Sequence, residues 1–113
     1  MNHTILFKAL SDRNRQRILK ALQVRMLCSC EITEMLSLAN STVNQHMGVL
    51  KEAGLVTEAK DGKWVNYYLN KETDDERIRE LLNNLDLWIQ PAEDIRGDIA
   101  KLGNLDRRQI CST

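Results

Sequence analysis

The stretch "STVNQHMGVLKEAGLVTEAKDGKWVNYYL" (residues 41–69) changes hydrophobic period halfway along. Up to Leu50 the apolar residues Val43, Met47 and Leu50 recur at intervals of four and three, the repeat of one helix face. Gly54 suits the left-handed residue that closes such a helix. Beyond it, "LVTEAK" and "KWVNYYLN" alternate as strands do, and Val56, Trp64, Val65 and Tyr67 add β-propensity. Between them Asp61-Gly62 is a strong two-residue hairpin signal. The stretch therefore predicts a helix, capped near Asn40 or Ser41, that runs into a β-hairpin.

Working towards the amino end, "SCEITEMLSL" reads as another helix, with Ser29 or Cys30 near its start and Ile32, Met35 and Leu36 inward. A brief turn, "AN", joins it to the helix above. Before it, Leu6, Ala9 and Leu10, then Ile18, Leu19 and Leu22, fall at helical spacing. These predict helices at about 3–10 and 12–25, with Ser11 or Asp12 as the cap between them. Towards the carboxyl end, Ile78, Leu81, Leu82, Leu85, Trp88 and Ile89 form a helical stripe. Pro91 and "AED" suit the first turn of a further helix, and Ile95, Ile99 and Leu102 extend the stripe to a stop at Gly103-Asn104. The last nine residues, "LDRRQICST", show no clear pattern. The expected fold is mainly α with a small β-hairpin: two helices joined by a short turn, then a two-stranded wing, a winged helix-turn-helix.

A chain of 113 residues supports one core, and 42% hydrophobic with 28% charged residues is ordinary for a globular protein. No apolar run reaches bilayer length, and "MNHTILFKALSDR" lacks the pattern of a signal peptide, so a cytoplasmic protein with no membrane partner is expected. In that compartment close cysteines more often bind metals or react than form structural bridges. Net charge is zero, yet residues 1–27 hold six basic and one acidic residue, while residues 71–113 hold seven and ten. A basic front and acidic tail mildly favour a polyanion partner.

"FKALSDRNRQRILKAL", "STVNQHMGVLKEAGLV" and "DGKWVNYYL" resemble, in order and spacing, the blocks of the ArsR/SmtB metalloregulatory repressors. The likeness spans roughly residues 4–90 and is closest to the arsenic-responsive members. It implies a homodimer, paired through N- and C-terminal helices, that leaves double-stranded operator DNA when a metal, metalloid or oxidant binds. On that basis residues 1–90 are expected to form the DNA-binding and dimerisation domain, and residues 91–113 a helical extension and tail. The likeness does not reach residues 91–113.

The residues of the candidate recognition helix agree with this. Ser41, Thr42, Asn44, Gln45 and His46 are short or medium polar groups near the end that enters the major groove. Asn and Gln pair with adenine, Thr packs on the thymine methyl, and Ser holds a phosphate. A solvated polar face is the alternative, and a lone histidine such as His46 is more often a packing residue than a switch. Lys60 and Lys63 on the wing, with Arg13 and Arg15, are expected beside the phosphate backbone. Trp64 is expected to pack the wing rather than stack on a base.

"RMLCSCEITEML" places Cys28 and Cys30 at the start of the helix behind the recognition helix. The arsenic repressors carry C-x-C-x-x-C at this position, and here Thr33 stands in place of the third thiol. Threonine is a poor ligand for a soft ion. Side chains two apart on a helix point to nearly opposite sides, so a shared ion requires a first turn that is distorted or lies outside the helix, and ligation that reshapes this start is expected to shift the recognition helix. A helix amino terminus favours thiolate. Cys111 is as readily the third donor, from either protomer, as an exposed terminal cysteine. The inducer expected at Cys28, Cys30 and Cys111 is trivalent arsenic or antimony, a methylated arsenical needing only two thiolates; no cofactor is expected for folding. With His3 and His46 the only histidines, the C-terminal zinc cluster of other relatives cannot form, and residues 1–27 hold no cysteine for a cadmium or lead site.

Two other readings compete. One makes the cysteines a redox or persulfide switch in the same DNA-binding protein. The other is a winged-helix protein-interaction module. No nucleophile–base pair, phosphate loop or paired carboxylates point to an enzyme.

Overall fold

The computed structural model describes residues 3–110, and Asp12 sets its first corner. Its carboxylate accepts the Arg15 N–H at 3.1 Å, satisfying a backbone donor that the first turn of a helix leaves orphaned. That cap separates α1 (His3–Leu10) from α2 (Arg13–Val24), with Ile18, Leu19, Ala21 and Leu22 of α2 facing the interior. After α2 the chain forms a two-residue strand, β1 (Leu27–Cys28), and enters α3 (Ser29–Leu36).

Ser37, at φ +56, ends α3 in the left-handed conformation that lets the last carbonyls be reached by the turning chain. The helix-turn-helix turn is thus Ser37 to Ala39, a little longer than "AN". The next helix, α4 (Asn40–Glu52), is capped by Ala39 rather than by Asn40 or Ser41. Val43, Met47 and Leu50 of α4 are buried with Ile32, Met35 and Leu36 of α3. Burying each such side chain stabilises the pair by roughly 1.5–3 kcal/mol. Gly54 closes α4 at φ +78, with Leu55 N–H donating to the Leu50 carbonyl at 3.1 Å and Gly54 N–H to that of Lys51 at 2.9 Å. This is the closure expected of the sequence, and a β-carbon at Gly54 would strain it.

The hairpin pairs β2 (Val56–Asp61) with β3 (Trp64–Leu69), Asp61 opposite Trp64. Its two turn residues are therefore Gly62 and Lys63, one position later than Asp61-Gly62. Gly62 supplies the positive φ, +61°, that a tight hairpin needs at its first central position. The sheet has three strands in the order β1-β3-β2, because β1 adds to the far edge of β3 with Leu27 opposite Tyr67 and Cys28 opposite Asn66. Two residues are too few to show a period, which is why the sequence predicts only the hairpin.

The C-terminal stripe forms α5 (Glu76–Asn83), α6 (Leu85–Trp88) and α7 (Glu93–Leu102). Ile78, Leu82, Leu85, Ile89, Ile95 and Leu102 join the same core as α2 to α4. The segment expected to be patternless contains a further helical turn, α8 (Arg107–Ile110). No described helix is long and apolar enough to cross a membrane.

Candidate nucleic-acid interface and thiol site

The α3–α4 packing leaves the amino half of α4 facing out. Ser41, Asn44 and Gln45 are exposed, and Thr42 and His46 are half-buried. No side chain caps this end, so the first N–H groups of α4 point outward unclaimed by a cap. Such an end attracts anions. Lys60 and Lys63 are exposed at the wing tip, so five polar positions on α4 and two lysines on the wing lie at the surface together with an open helix terminus.

Arg13 and Arg15, expected beside the phosphate backbone, both have partners within the chain. Arg13 makes a two-bond pair with Asp94 of α7, at 2.8 and 2.7 Å. Arg15 donates to the α1 carbonyls of Ala9 and Lys8, at 2.9 and 3.0 Å, and to His46 Nδ1 at 3.1 Å. A guanidinium only donates, so Nδ1 accepts and the neutral ring of His46 carries its proton on Nε2. His46 therefore ties the recognition helix to α2, and at most its Nε2 remains for another partner.

The basic front is likewise covered by the acidic tail. Arg17 pairs with Asp98 through two bonds of 2.8 Å, and buried Lys20 pairs with Asp86 of α6. Arg13 and Arg17 on α2 thus meet Asp94 and Asp98 on α7, each pair one helical turn apart. Arg13 holds the Asp94 carboxyl below its ordinary range, and Lys20 does the same for Asp86. The charge asymmetry of the sequence is spent in joining the chain's two ends. Internal ion pairs thus account for Arg13, Arg17 and Lys20 of the basic front.

Cys28 ends β1 in extended backbone, outside the helix, and Cys30 lies in the first turn of α3. Cys28 occupies the cap position and is 1% exposed, while Cys30 is half-buried. The Glu31 carboxylate accepts the Cys28 N–H at 3.0 Å and the Arg25 guanidinium at 2.9 Å, and Arg25 also donates to the Leu102 carbonyl of α7 at 3.3 Å. Burial pushes the Cys28 thiol up, although the Glu31 N–H favours thiolate. A helix amino terminus favours thiolate, but at Cys28 desolvation next to the core outweighs it.

Cys30 faces a hollow of about 240 Å³ shared with Ser29, Thr33, Glu34, Asn40 and Ile110. The Thr33 hydroxyl donates to the Ser29 carbonyl at 2.8 Å. The Cys30 sulfur is engaged in a disulfide. Cys111 lies outside the described residues; Ile110, which precedes it in sequence, lines this hollow. Among the described residues no group of three or more His, Cys, Asp or Glu side chains is arranged to hold a metal ion.

Trp64 is packed, as expected, though against the tail. Arg107 lies over its ring at 4.1 Å and Lys63 at 5.2 Å. Sequence reasoning missed Arg107 and Glu31. The first lies in a tail without periodicity, and the second announces itself only by standing three residues after a cap position that is a cysteine.

Residues 12–58, from the cap of α2 to the start of the wing, match the family described as bacterial regulatory protein, arsR family. The chain is 35% identical over 82 residues to an uncharacterized HTH-type transcriptional regulator of Methanocaldococcus jannaschii, covering 72% of this chain and 88% of that one. It is 32% identical over 91 residues to the arsenic resistance transcriptional regulator ArsR1 of Pseudomonas putida, covering 77% and 71%. Among solved structures, HlyU from Vibrio cholerae superposes with a TM-score of 0.65 at 26% identity, over 79% of this chain and 92% of that one. With its winged helix, its outward recognition helix and these relatives, the chain belongs to the ArsR family of DNA-binding transcriptional regulators.

Proposed function

We propose that this protein is a homodimeric repressor that leaves its operator when trivalent arsenic or antimony binds the thiolates of Cys28, Cys30 and Cys111. The observation that carries the reading is the hollow at the first turn of α3. Cys30, Thr33 and Ile110 share it, so the position where a third thiol is missing faces the segment that leads into Cys111. An arsenic regulator among the relatives supports the choice of ion. Buried Cys28 has to turn out of the core to share a ligand with Cys30. That motion breaks the Cys28–Glu31 cap and moves α3 beneath the recognition helix. Differential groove fit of the two forms then lowers operator affinity.

On the DNA, Asn44 and Gln45 read base edges, Ser41 and Thr42 meet the backbone and a thymine methyl, and Lys60 and Lys63 graze phosphates. Dimer formation is supported by exposed apolar side chains on α1 and α6: Phe7, Leu87 and Trp88 are 63%, 67% and 71% exposed, and Phe7 and Trp88 line one apolar hollow.

The test is operator binding under anaerobic reducing conditions with and without arsenite. Release is expected for the native chain and not for Cys28→Ser or Cys30→Ser, and Cys111→Ser should weaken the response to arsenite far more than to methylarsenite. A second reading makes oxidation of Cys30 the signal, and the disulfide at that residue favours it. Release by oxidant with none by arsenite would establish the second reading in place of the first.

A further inference from the structure

The thiol hollow and the wing are on different elements, and one short segment touches both. Arg107, at the start of α8, donates to the buried Asn66 side chain of β3 at 2.6 Å and to Asp61 at the end of β2 at 2.9 Å. Its guanidinium also covers the Trp64 ring at 4.1 Å. A single side chain therefore holds the middle of β3 and the tip of the hairpin through two charge-assisted hydrogen bonds and a cation–π contact. Three residues on, Ile110 lines the hollow beside Cys30. A second route closes the loop, because Asn66 is the register partner of Cys28 across β1 and β3.

We infer that Arg107 is a positioning residue that sets the wing according to the state of the Cys30 hollow. Residues 107–110 act as a strap. Its Ile110 end is seated by the hollow, its Arg107 end grips the hairpin, and one helical turn between them leaves little slack. A group that fills the hollow, or a ligand that draws the tail across it, shifts Ile110. The shift is passed to Arg107, whose fork geometry tolerates little displacement before its pairing with Asn66 and Asp61 fails. The wing then loses the clamp that fixes its angle to α4, and groove and backbone contacts no longer register together. This rests on the operator-binding reading for its consequence, but the mechanical link does not depend on arsenic.

Two measurements separate the link from its use. In a Cys111→Ser background, reduced and treated with a maleimide, buried Cys28 is protected and Cys30 takes the adduct. Hydrogen exchange over residues 56–69 should then quicken several-fold. With Arg107→Ala added, the wing should exchange quickly before alkylation and not respond to it, whereas Arg107→Lys should keep part of the response. An alkylation response that is absent, or that persists unchanged in Arg107→Ala, overturns the inference. In the second measurement arsenite should still protect the thiols of Arg107→Ala, while the ratio of operator affinities without and with arsenite falls at least tenfold towards one. Where arsenite releases the native chain, an unchanged ratio in Arg107→Ala overturns the inference as well. Failure of arsenite to release the native chain counts against the inducer alone, because the exchange measurement uses none.

Discussion

At Arg15 and His46 one hydrogen bond decides between two roles. Arginine beside a helix-turn-helix reads as a phosphate contact, yet Arg15 is only 12% exposed and closes the end of α1 while anchoring α4 through His46. Hydrogen bonds to a charged group contribute about 1.5–3 kcal/mol each. Arg15→Ala should therefore lower unfolding stability by about 2 kcal/mol in urea titrations and leave the salt dependence of operator binding almost unchanged. The exposed residues should behave in the opposite way. Asn44→Ala or Gln45→Ala is expected to cost about 1–3 kcal/mol of operator affinity and relax base preference. Lys63→Ala should instead reduce the salt slope by about one with no change in preference, both read by titration at several salt concentrations.

Helix α7 meets α2 through two ion pairs set one turn apart, with Ile95 buried beneath them. The Asp94 carboxyl sits below its ordinary range because Arg13 donates two hydrogen bonds to it. A depressed carboxylate contributes stability above its unfolded value and loses it as pH falls through the folded one. Acidification below the usual carboxylate range should thus loosen α7 before the core unfolds, seen as faster hydrogen exchange over residues 93–102. Asp94→Asn should remove most of that pH dependence. The same element explains why a basic amino-terminal segment is a poor guide to DNA binding here. The charges of α2 are held by a helix some 80 residues later in the chain, a pairing that no local window contains.

For the whole molecule, the two ends of the chain close onto one core and leave an apolar surface on α1 and α6. Replacing Phe7 and Trp88 together by Glu should yield a monomer in sedimentation experiments and weaken operator binding strongly, since two half-sites are then no longer read at once. A variant that remains dimeric would place the interface elsewhere. Periodicity along residues 3–102 determined the helix order, the hairpin and most of the buried positions, because a 3.6-residue or two-residue repeat is written locally into the chain. Only the tertiary structure decided the rest. It buried Cys28 in the core and added β1 to the sheet. It paired Arg13 and Arg17 with α7 and tied Arg15 to α1 and His46, and it carried Arg107 and Ile110 to the wing and the thiol hollow. These are contacts between residues far apart in sequence, formed by side chains whose partners depend on how the helices pack, and no spacing along the chain encodes them.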